Sequence, residues 1–452
     1  MIKTAKNQAD HGRIIHILLN RAQILCLVGR PERALDGLQR GLAISGKSRD
    51  KKSQADCFLQ LSEIYNDISK YEELLNSAKE SLLLYQEIND KKGEAESLNN
   101  IGSVHRVLGD YPQALEYFVK SLKIKEEIGD RQGQAASCNN IGAVHSILGD
   151  YPQSLEHFTK SLNLYEKIGD RQGQANGLNN IGYGHNMLGD YPKAREYYTK
   201  SLKIKEEIGD RKGQATSLNN IGQVHRNLDD YPQALEYLTK SLKIYEKIGD
   251  REGQAIGLNN IGSVHRVLGD YTQALEYFAK SLKIKEEIGD RQGQAASLNN
   301  IAGIYLEQEK YEETKDYLIK AEKIAGEIGA KGYLRRIYIS FAELKIGVGD
   351  LEAAGNYAEQ SLKLAGELKS KTGRAEAILL QGRIEKDEGK FKEALAIFKE
   401  LKQPMETAKA CYYYGEALKA WGRREQAGEY RTRASRIFGE VGARGWLARL
   451  GG

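Results

Sequence analysis

The sequence predicts an all-α fold in which pairs of helices stack into a solenoid. Three observations predict it: a 40-residue repeat, apolar residues at the spacing of an amphipathic helix, and helix-ending residues twice in each repeat. The repeat is nearly perfect, because Ile101–Ser137 recurs as Ile261–Ser297 with changes at only two positions. Eleven units, whose positions we number from the first residue, begin at Ile15, Ala55, Ala95, Ala135, Ala175, Ala215, Ala255, Ala295, Arg335, Ala375 and Ala408.

Each unit is predicted to contain a helix A and a helix B. In the unit that begins at Ala95, Leu98, Ile101 and His105 share one helical face. Gly109 suits the left-handed conformation that ends a helix, and Pro112 suits the first turn of the next one.

Helix B carries its own buried stripe at Ala114, Phe118 and Ser121. Small residues at positions 8 and 20, such as Gly102 and Ala114, indicate that the two helices approach closely there. Asp130 is the expected N-cap of the next helix A. Because one helix pair cannot bury its apolar stripe alone, neighbouring pairs must stack.

The composition argues against several function classes. The chain has 452 residues, and its 67 basic and 62 acidic residues give a net charge of +5, which is too small and too dispersed to indicate nucleic-acid binding. No apolar run reaches the ~18 residues that span a bilayer, and the N-terminus does not read as a signal peptide. The four cysteines lie far apart, so we expect no disulfide framework, no zinc site and a cytoplasmic location: Cys26, Cys57, Cys138 and Cys411.

The unit resembles the tetratricopeptide repeat. The matching residues at positions 1, 4, 7, 8, 11, 20, 24 and 27 of one unit are Ala95, Leu98, Ile101, Gly102, His105, Ala114, Phe118 and Ser121. The resemblance covers essentially the whole chain, although the period is 40 residues instead of about 34. Units with a GDRxGQA linker are similar to those of Pins-type scaffolds, kinesin light chains and bacterial signalling arrays, and Arg436–Leu450 is similar to the closing helix of bacterial sensor arrays.

The resemblance implies a right-handed superhelix of eleven helix pairs with a C-terminal capping helix. We expect one solenoid over residues 1–452, with an atypical N-terminal repeat in 1–54, regular repeats in 55–334, and divergent repeats and the capping helix in 335–452. It also implies that positions 2, 5, 6, 9, 12 and 13 of helix A line a concave groove that holds a partner.

Asparagines repeat at two of these groove positions. Position 6 holds Asn100, Asn140, Asn180, Asn220, Asn260 and Asn300, and position 5 holds Asn99, Asn139, Asn179, Asn219, Asn259 and Asn299. Asparagine costs roughly 0.6 kcal/mol relative to alanine inside a helix, so compensating hydrogen bonds are expected. The amides could bind the backbone of an extended peptide. They could instead bond to each other across neighbouring A helices, or simply be inherited from recent duplication.

Position 12 offers Arg106, Arg226 and Arg266. Arginine on a groove wall indicates a carboxylate-bearing partner, although a solvated surface charge is an equally simple interpretation. The groove is polar and mildly basic, which favours an acidic or extended partner segment.

Two further patterns are interpreted as structural. Gly41–Ser48 matches the phosphate-loop pattern, but it lies inside a helix B with no preceding strand. The histidines at position 11 take the place of a core aromatic residue and are expected to pack against helix B: His105, His145, His185, His225 and His265.

We therefore predict a non-enzymatic scaffold or adaptor that binds a protein or peptide segment and needs no cofactor or metal. The chain shows no nucleophile–base constellation. An RNA-reading solenoid would need a more basic and more varied groove. The alternative is a sensor or autoinhibitory region of a bacterial signalling system whose effector lies elsewhere. The sequence leaves the oligomeric state open.

Overall fold

The computed structural model describes residues 2–68, 70–441, 446, 447 and 450. These residues form helices and turns without any strand, so the predicted all-α class is confirmed. The helices are α1 (Ile2–Leu27), α2 (Pro31–Ser48), α3 (Lys51–Asp67), α4 (Tyr71–Glu87), α5 (Lys91–Val107), α6 (Tyr111–Glu127), α7 (Arg131–Leu148), α8 (Tyr151–Ile168), α9 (Arg171–Met187), α10 (Tyr191–Glu207), α11 (Arg211–Asn227), α12 (Tyr231–Ile248), α13 (Arg251–Val267), α14 (Tyr271–Glu287), α15 (Arg291–Glu307), α16 (Tyr311–Glu327), α17 (Lys331–Gly347), α18 (Leu351–Glu367), α19 (Lys371–Glu385), α20 (Glu388–Glu400), α21 (Pro404–Ala420) and α22 (Arg424–Val441).

The helices follow the repeat, and odd-numbered helices are the predicted A helices. The described residues therefore give the expected eleven helix pairs of a helical solenoid. Most of the segment after α22, where we expected a separate capping helix, lies outside the described residues.

The helix ends use the residues that the sequence indicated. Gly109 and Gly129 adopt φ values of 80° and 70°, and each ends a helix in the left-handed region. Asp130 accepts a 2.9 Å hydrogen bond from the backbone N–H of Gly133 and caps α7. Asp110 caps α6 through Gln113 in the same way.

Helices A and B pack through the small residues of the repeat. A Cβ on Gly102 would lie 2.9 Å from the ring of Phe118, so only glycine lets α5 and α6 approach this closely. Ala114 is fully buried in the same contact. Ser121 donates a 2.7 Å hydrogen bond from its hydroxyl to the carbonyl of Ala95.

The position-11 histidines pack against helix B, as predicted. His105 stacks on Tyr117 with ring centroids 5.4 Å apart, and His225 stacks on Tyr237 at 5.3 Å. His225 Nδ1 also lies 3.1 Å from a carboxylate oxygen of Asp230, the residue that begins the next helix.

Position 31 alternates between buried tyrosine and buried lysine. Tyr85 and Tyr245 are buried. Lys125, Lys205 and Lys285 hold the same position in every second unit and are buried as well. Each lysine donates a hydrogen bond from Nζ to a buried serine hydroxyl. Burial lowers the pKa of all three ammonium groups.

The chain divides into two compact units, numbered 1 and 2, each of which contains several of the eleven repeat units. Unit 1 consists of Met1–Val144 and Asn163–Ile168, and unit 2 consists of His145–Leu162 and Gly169–Gly452. No helix of the described residues combines the length and the apolar character that crossing a membrane requires.

Candidate functional site

The asparagines of positions 5 and 6 form a series of hydrogen bonds between successive A helices, which we call the amide ladder. In unit 2, Asn220 donates to Asn179 at 3.0 Å, Asn260 to Asn219 at 2.8 Å, and Asn300 to Asn259 at 3.0 Å. In unit 1, Asn140 donates to Asn99 at 2.9 Å, and Asn100 donates to the hydroxyl of Ser62 at 2.9 Å. The ladder corresponds to the interpretation in which the amides bond to each other.

The ladder accounts for the cost of asparagine inside a helix without a ligand. Each bond between two asparagines joins the position-6 amide of one unit to the position-5 oxygen 41 residues earlier. Asn219 and Asn260 are buried within it. Partner contact by the other ladder amides, among them Asn139 and Asn180, stays a prediction.

The ladder ends at Asn299. The next unit carries Ser340 at position 6 in place of asparagine, and the side-chain oxygen of Asn299 is buried without a hydrogen-bond partner among the described residues. Asn299 lines a cavity, described below.

The three position-12 arginines have different surroundings. Arg266 forms a two-pronged ion pair with Glu307, with Nη2 2.7 Å and Nε 3.1 Å from the same carboxylate oxygen. Glu307 stands 41 residues after Arg266, whereas the residue at the same distance after Arg226 is Val267. Arg226 forms no ion pair with any described residue. Arg106, in unit 1, is half-buried and likewise has no acidic partner in the part of the chain that the structure describes.

Arg226, like Arg106, is half-buried without an acidic partner among the described residues. Within that part of the chain, its guanidinium donates one hydrogen bond, at 3.3 Å to Asn227. Burial lowers the pKa of this guanidinium, and the hydroxyls of Tyr191 and Tyr231 oppose that effect. An added carboxylate would offset the cost of burying this charge.

Within unit 2, the C-terminal helices pack against two earlier turns. The carbonyl of Gly149 accepts a 3.3 Å hydrogen bond from the amide of Gln403, which also donates to Thr372 at 2.8 Å. A Cβ on Gly189 would lie 3.4 to 3.8 Å from Pro404, Val441 and Met405. The turn before α8 and the turn before α10 therefore contact α19, α21 and α22.

The tyrosine that begins helix B is buried in the two units that contact the C-terminal helices. Tyr151 and Tyr191 are only 6% and 4% exposed. The tyrosines at the same position of three other repeat units, Tyr111, Tyr231 and Tyr271, are each half-exposed.

The contact leaves a cavity of about 560 Å³ between the two parts of unit 2. Helices α9, α10 and α11 form one side, and α17 and α21 form the other. Its lining is rich in amides, tyrosines and arginines: Tyr183, Asn186, Met187, Tyr191, Tyr198, Asn220, Gln223, Arg226, Asn227, Arg336, Met405, Glu406 and Lys409.

The charges of this cavity do not balance. Lys409 and Glu406 pair with each other at 2.8 Å. Arg226 and Arg336 have no acidic partner among the described residues, and Arg336 is exposed to the cavity. The cavity therefore presents two uncompensated positive charges beside hydrogen-bonding amides.

A second cavity of about 330 Å³ adjoins the first, because Arg336, Glu406 and Lys409 line both. Its ion pairs are satisfied internally. Arg335 lies 2.5 Å from Glu376, and Arg383 lies 2.5 Å from Glu343. Arg383 also lies over the ring of Tyr413, 4.4 Å from its centroid. Apart from Arg336, the charges that line this second cavity are therefore paired.

Sequence reasoning named Asn220 and Arg226 as groove residues. Most of the other lining residues stand at the helix-A positions that were expected to line a groove: Tyr183, Asn186, Met187, Gln223, Asn227, Arg336 and Lys409. Sequence reasoning missed Tyr191, Tyr198, Met405 and Glu406. In the six units that begin at Ala95 to Ala295, position 9 is aromatic at Tyr183 alone, which was an available signal.

The comparisons with known proteins agree with this architecture. The tetratricopeptide repeat family matches residues 53–127, 93–167, 131–207, 173–247 and 253–327, which together exceed half of the chain. The chain belongs to the tetratricopeptide repeat family. No curated protein sequence matches this tetratricopeptide repeat protein.

Solved structures of similar fold include Rap proteins. A Rap protein complexed with competence and sporulation factor has a TM-score of 0.51 and 14% identity, covering 94% of this chain and 98% of its own. The Rap conjugation gene regulator of plasmid pLS20, in complex with the Phr* peptide, has a TM-score of 0.52 and 14% identity, covering 78% and 96%. The apo form of RapI has a TM-score of 0.49 and 18% identity, covering 61% and 99%.

Proposed function

We propose that this tetratricopeptide repeat protein is a non-enzymatic scaffold whose unit 2 binds a peptide segment of a partner protein. The bound segment lies in the cavity between α9–α11 and α17–α21, and a carboxylate of the segment pairs with Arg226 and Arg336. The observation that carries the proposal is the half-buried guanidinium of Arg226, which lines the cavity and has no acidic partner among the described residues.

The rest of the lining suits a peptide backbone. Asn220 uses an N–H in the amide ladder, and its side-chain oxygen can accept a further hydrogen bond. Gln223 and Tyr183 add polar groups on the same wall. Extended peptides present alternating N–H and C=O groups, and mixed amide and hydroxyl side chains can satisfy both.

The charge pattern favours an acidic peptide over nucleic acid. Two uncompensated arginines suffice for one or two carboxylates, whereas nucleic acid usually requires a continuous basic surface. A net charge of +5 on 452 residues supplies no such surface by itself. We further propose a cytoplasmic location and no metal or cofactor.

The alternative is a sensor or autoinhibitory array that responds to a peptide signal. Two of the Rap structures are complexes, one with competence and sporulation factor and one with the Phr* peptide, and these structures share the fold of this chain. At 14% identity the likeness concerns the fold alone, so this alternative rests on analogy. A peptide that binds the cavity and releases a second protein would favour it over a plain scaffold.

A peptide-binding screen tests the proposal. The full chain selects from a library of random heptapeptides, and each selected sequence is resynthesised with its acidic groups intact or converted to amides. We expect selection of acidic sequences, and binding that weakens with added salt because the attraction is electrostatic.

Two matched variants locate the site. Arg226→Gln should weaken binding by about tenfold or more, since a charge-assisted hydrogen bond contributes about 1.5–3 kcal/mol. Arg266→Gln removes the same charge from the same position of the next unit, but this arginine is already paired with Glu307. Equal loss in both variants, or none in Arg226→Gln, would refute the assignment of the cavity.

A further inference from the structure

The two turns that receive the C-terminal helices follow helices that carry a short polar residue at position 12. These residues are Ser146 and Asn186, whereas the units on either side of them carry Arg106 and Arg226 at this position. Ser146 is only 9% exposed. A long charged side chain in place of buried Ser146 would need space that its neighbours occupy, and one in place of Asn186 would enter the cavity.

The contact at the first turn is polar and incompletely satisfied. Gln403 donates to Gly149 and Thr372. However, the hydroxyl of Ser146 and the side-chain oxygen of Gln403 are both buried without a hydrogen-bond partner among the described residues. Buried polar groups without partners favour the separated state, in which water can satisfy them. This part of the contact is therefore weakly held.

The contact at the second turn is apolar. Gly189 lies against Pro404, Met405 and Val441, and the neighbouring Tyr191 is buried. Exposing these groups opposes separation. The second turn therefore holds the contact more firmly than the first, because Tyr191 and Val441 belong to one buried apolar cluster.

We propose that helices α19–α22 form a releasable wall of the cavity, held closed by the turns at Gly149 and Gly189. This goes beyond the proposed function, since it describes a motion of the unit with or without a peptide. A solenoid can open by small rotations between successive helix pairs, because each pair contacts chiefly its neighbours. Opening moves Glu406 and Lys409 away from Arg226 while every helix pair stays folded.

Closure therefore controls the electrostatic environment of the cavity. In the closed form, Arg226 is half-buried in the cavity that Tyr191 also lines, and α21 supplies Glu406 and Lys409 to the same space. In the open form, water reaches the guanidinium. A ligand that contacts both sides favours the closed form, because binding to one form shifts the equilibrium toward it.

Distances between spin labels test the proposal without any ligand. Labels on Gln153→Cys, next to the first turn, and Lys402→Cys, next to Gln403, report the separation of the two parts by pulsed electron paramagnetic resonance. Both residues are exposed. Cys26 is half-buried and is replaced by serine, whereas the other three cysteines are buried.

A double variant, Ser146→Arg with Asn186→Arg, tests whether the two turns can release the C-terminal helices. It introduces at both turns the arginine that three other units carry at this position. The wild-type chain should give one short, narrow distance distribution. The double variant should give a broader distribution, longer by about one helix diameter, ~10 Å. Its far-UV circular dichroism should be unchanged, since arginine is native at this position in three other units.

Arg106→Ser is the matched control, because it makes the reverse exchange in unit 1 and should leave the distance unchanged. A long distance in the wild-type chain would overturn the proposal, and so would an unchanged distance in the double variant. If the double variant loses helical signal, Gln403→Ala decides instead: a longer distance supports the releasable wall, and an unchanged one refutes it. None of these outcomes depends on whether a peptide binds.

Discussion

Asn260 donates a 2.8 Å hydrogen bond to the side-chain oxygen of Asn219, which stands 41 residues earlier on the neighbouring A helix. Both residues are buried, at 9% and 4% exposure. The spacing of 41 joins position 6 of one unit to position 5 of the unit before it. The same pairing recurs at Asn300, and it converts a poor helix-forming residue into a link between repeats.

Removing one link should destabilise the solenoid. Asn260→Ala leaves the oxygen of Asn219 buried and unsatisfied, which costs about 1–3 kcal/mol, while alanine returns about 0.6 kcal/mol of helix propensity. We expect a net loss of about 1 kcal/mol, measured as a lower urea midpoint by circular dichroism. Asn299→Ala is the control, because the oxygen of Asn299 has no described partner, and it should cause no loss. Equal losses in both variants would contradict a stabilising role for the ladder.

Buried lysine at position 31 should lower stability at neutral pH. Lys205 is 3% exposed, and burial lowers its pKa below the ordinary 10.5. Lys205→Met removes a buried charge, and we expect a gain of about 1 kcal/mol at pH 7 in urea unfolding. The matched substitution Lys203→Met, at an exposed position of the same helix, should have little effect.

The pH dependence of the free energy of unfolding, compared between the wild-type chain and Lys205→Met, gives an independent check. Between the lowered folded pKa of Lys205 and 10.5, the unfolded state binds more protons than the folded state, so the stability of the wild-type chain rises with pH. Below that window the cost of the buried charge is constant. The advantage of Lys205→Met should therefore shrink as pH approaches 10.5. An advantage that grows with pH would contradict the assignment.

The local structure was predictable because it repeats. A period of 40 residues fixes which residues share a face, so the core at Ile101 and Phe118, the cap at Asp130 and the stacking of His105 follow from spacing alone. The family resemblance followed from the same positions.

The contact that closes the cavity was not predictable from the period. Gln403 and Gly149 are 254 residues apart, and no pattern of spacing relates them. The substitutions Ser146 and Asn186 mark the contact only once its partner is known. The pairing of Arg266 but not Arg226 could have been read from the sequence, since Glu307 and Val267 stand 41 residues after them.

The second glycine of the GDRxGQA linker should not tolerate substitution, because the ring of a neighbouring tyrosine leaves no room for a side chain. A Cβ on Gly253 would lie 2.2 Å from the ring of Tyr245, whereas a Cβ on Gly257, in the same helix, meets Leu242 at an ordinary 3.5 Å. We expect Gly253→Ala to destabilise by about 1–3 kcal/mol through overpacking. Gly257→Ala should be neutral or stabilise by up to about 1 kcal/mol through helix propensity. Urea unfolding of both variants measures the contrast, and a loss in Gly257→Ala as large as in Gly253→Ala would contradict it.

An acid placed ahead of Arg226 should close the proposed binding site by pairing. Glu307 engages Arg266 from position 13 of the next unit, and Val267 holds the corresponding place for Arg226 and is 58% exposed. Val267→Glu should therefore supply Arg226 with a carboxylate and compete with the acidic peptide. We expect binding about tenfold weaker by fluorescence anisotropy, with the deficit shrinking as salt screens the new pair.

The same substitution at position 13 of unit 1 separates pairing from added charge. Val107 is 42% exposed and lies outside unit 2, so Val107→Glu changes the net charge equally without reaching the cavity. Its affinity for the peptide should stay at the wild-type value. If both variants weaken binding alike, long-range repulsion explains the loss. If Val267→Glu binds normally while Arg226→Gln does not, the new glutamate fails to reach Arg226, and the 41-residue pairing rule does not transfer between units.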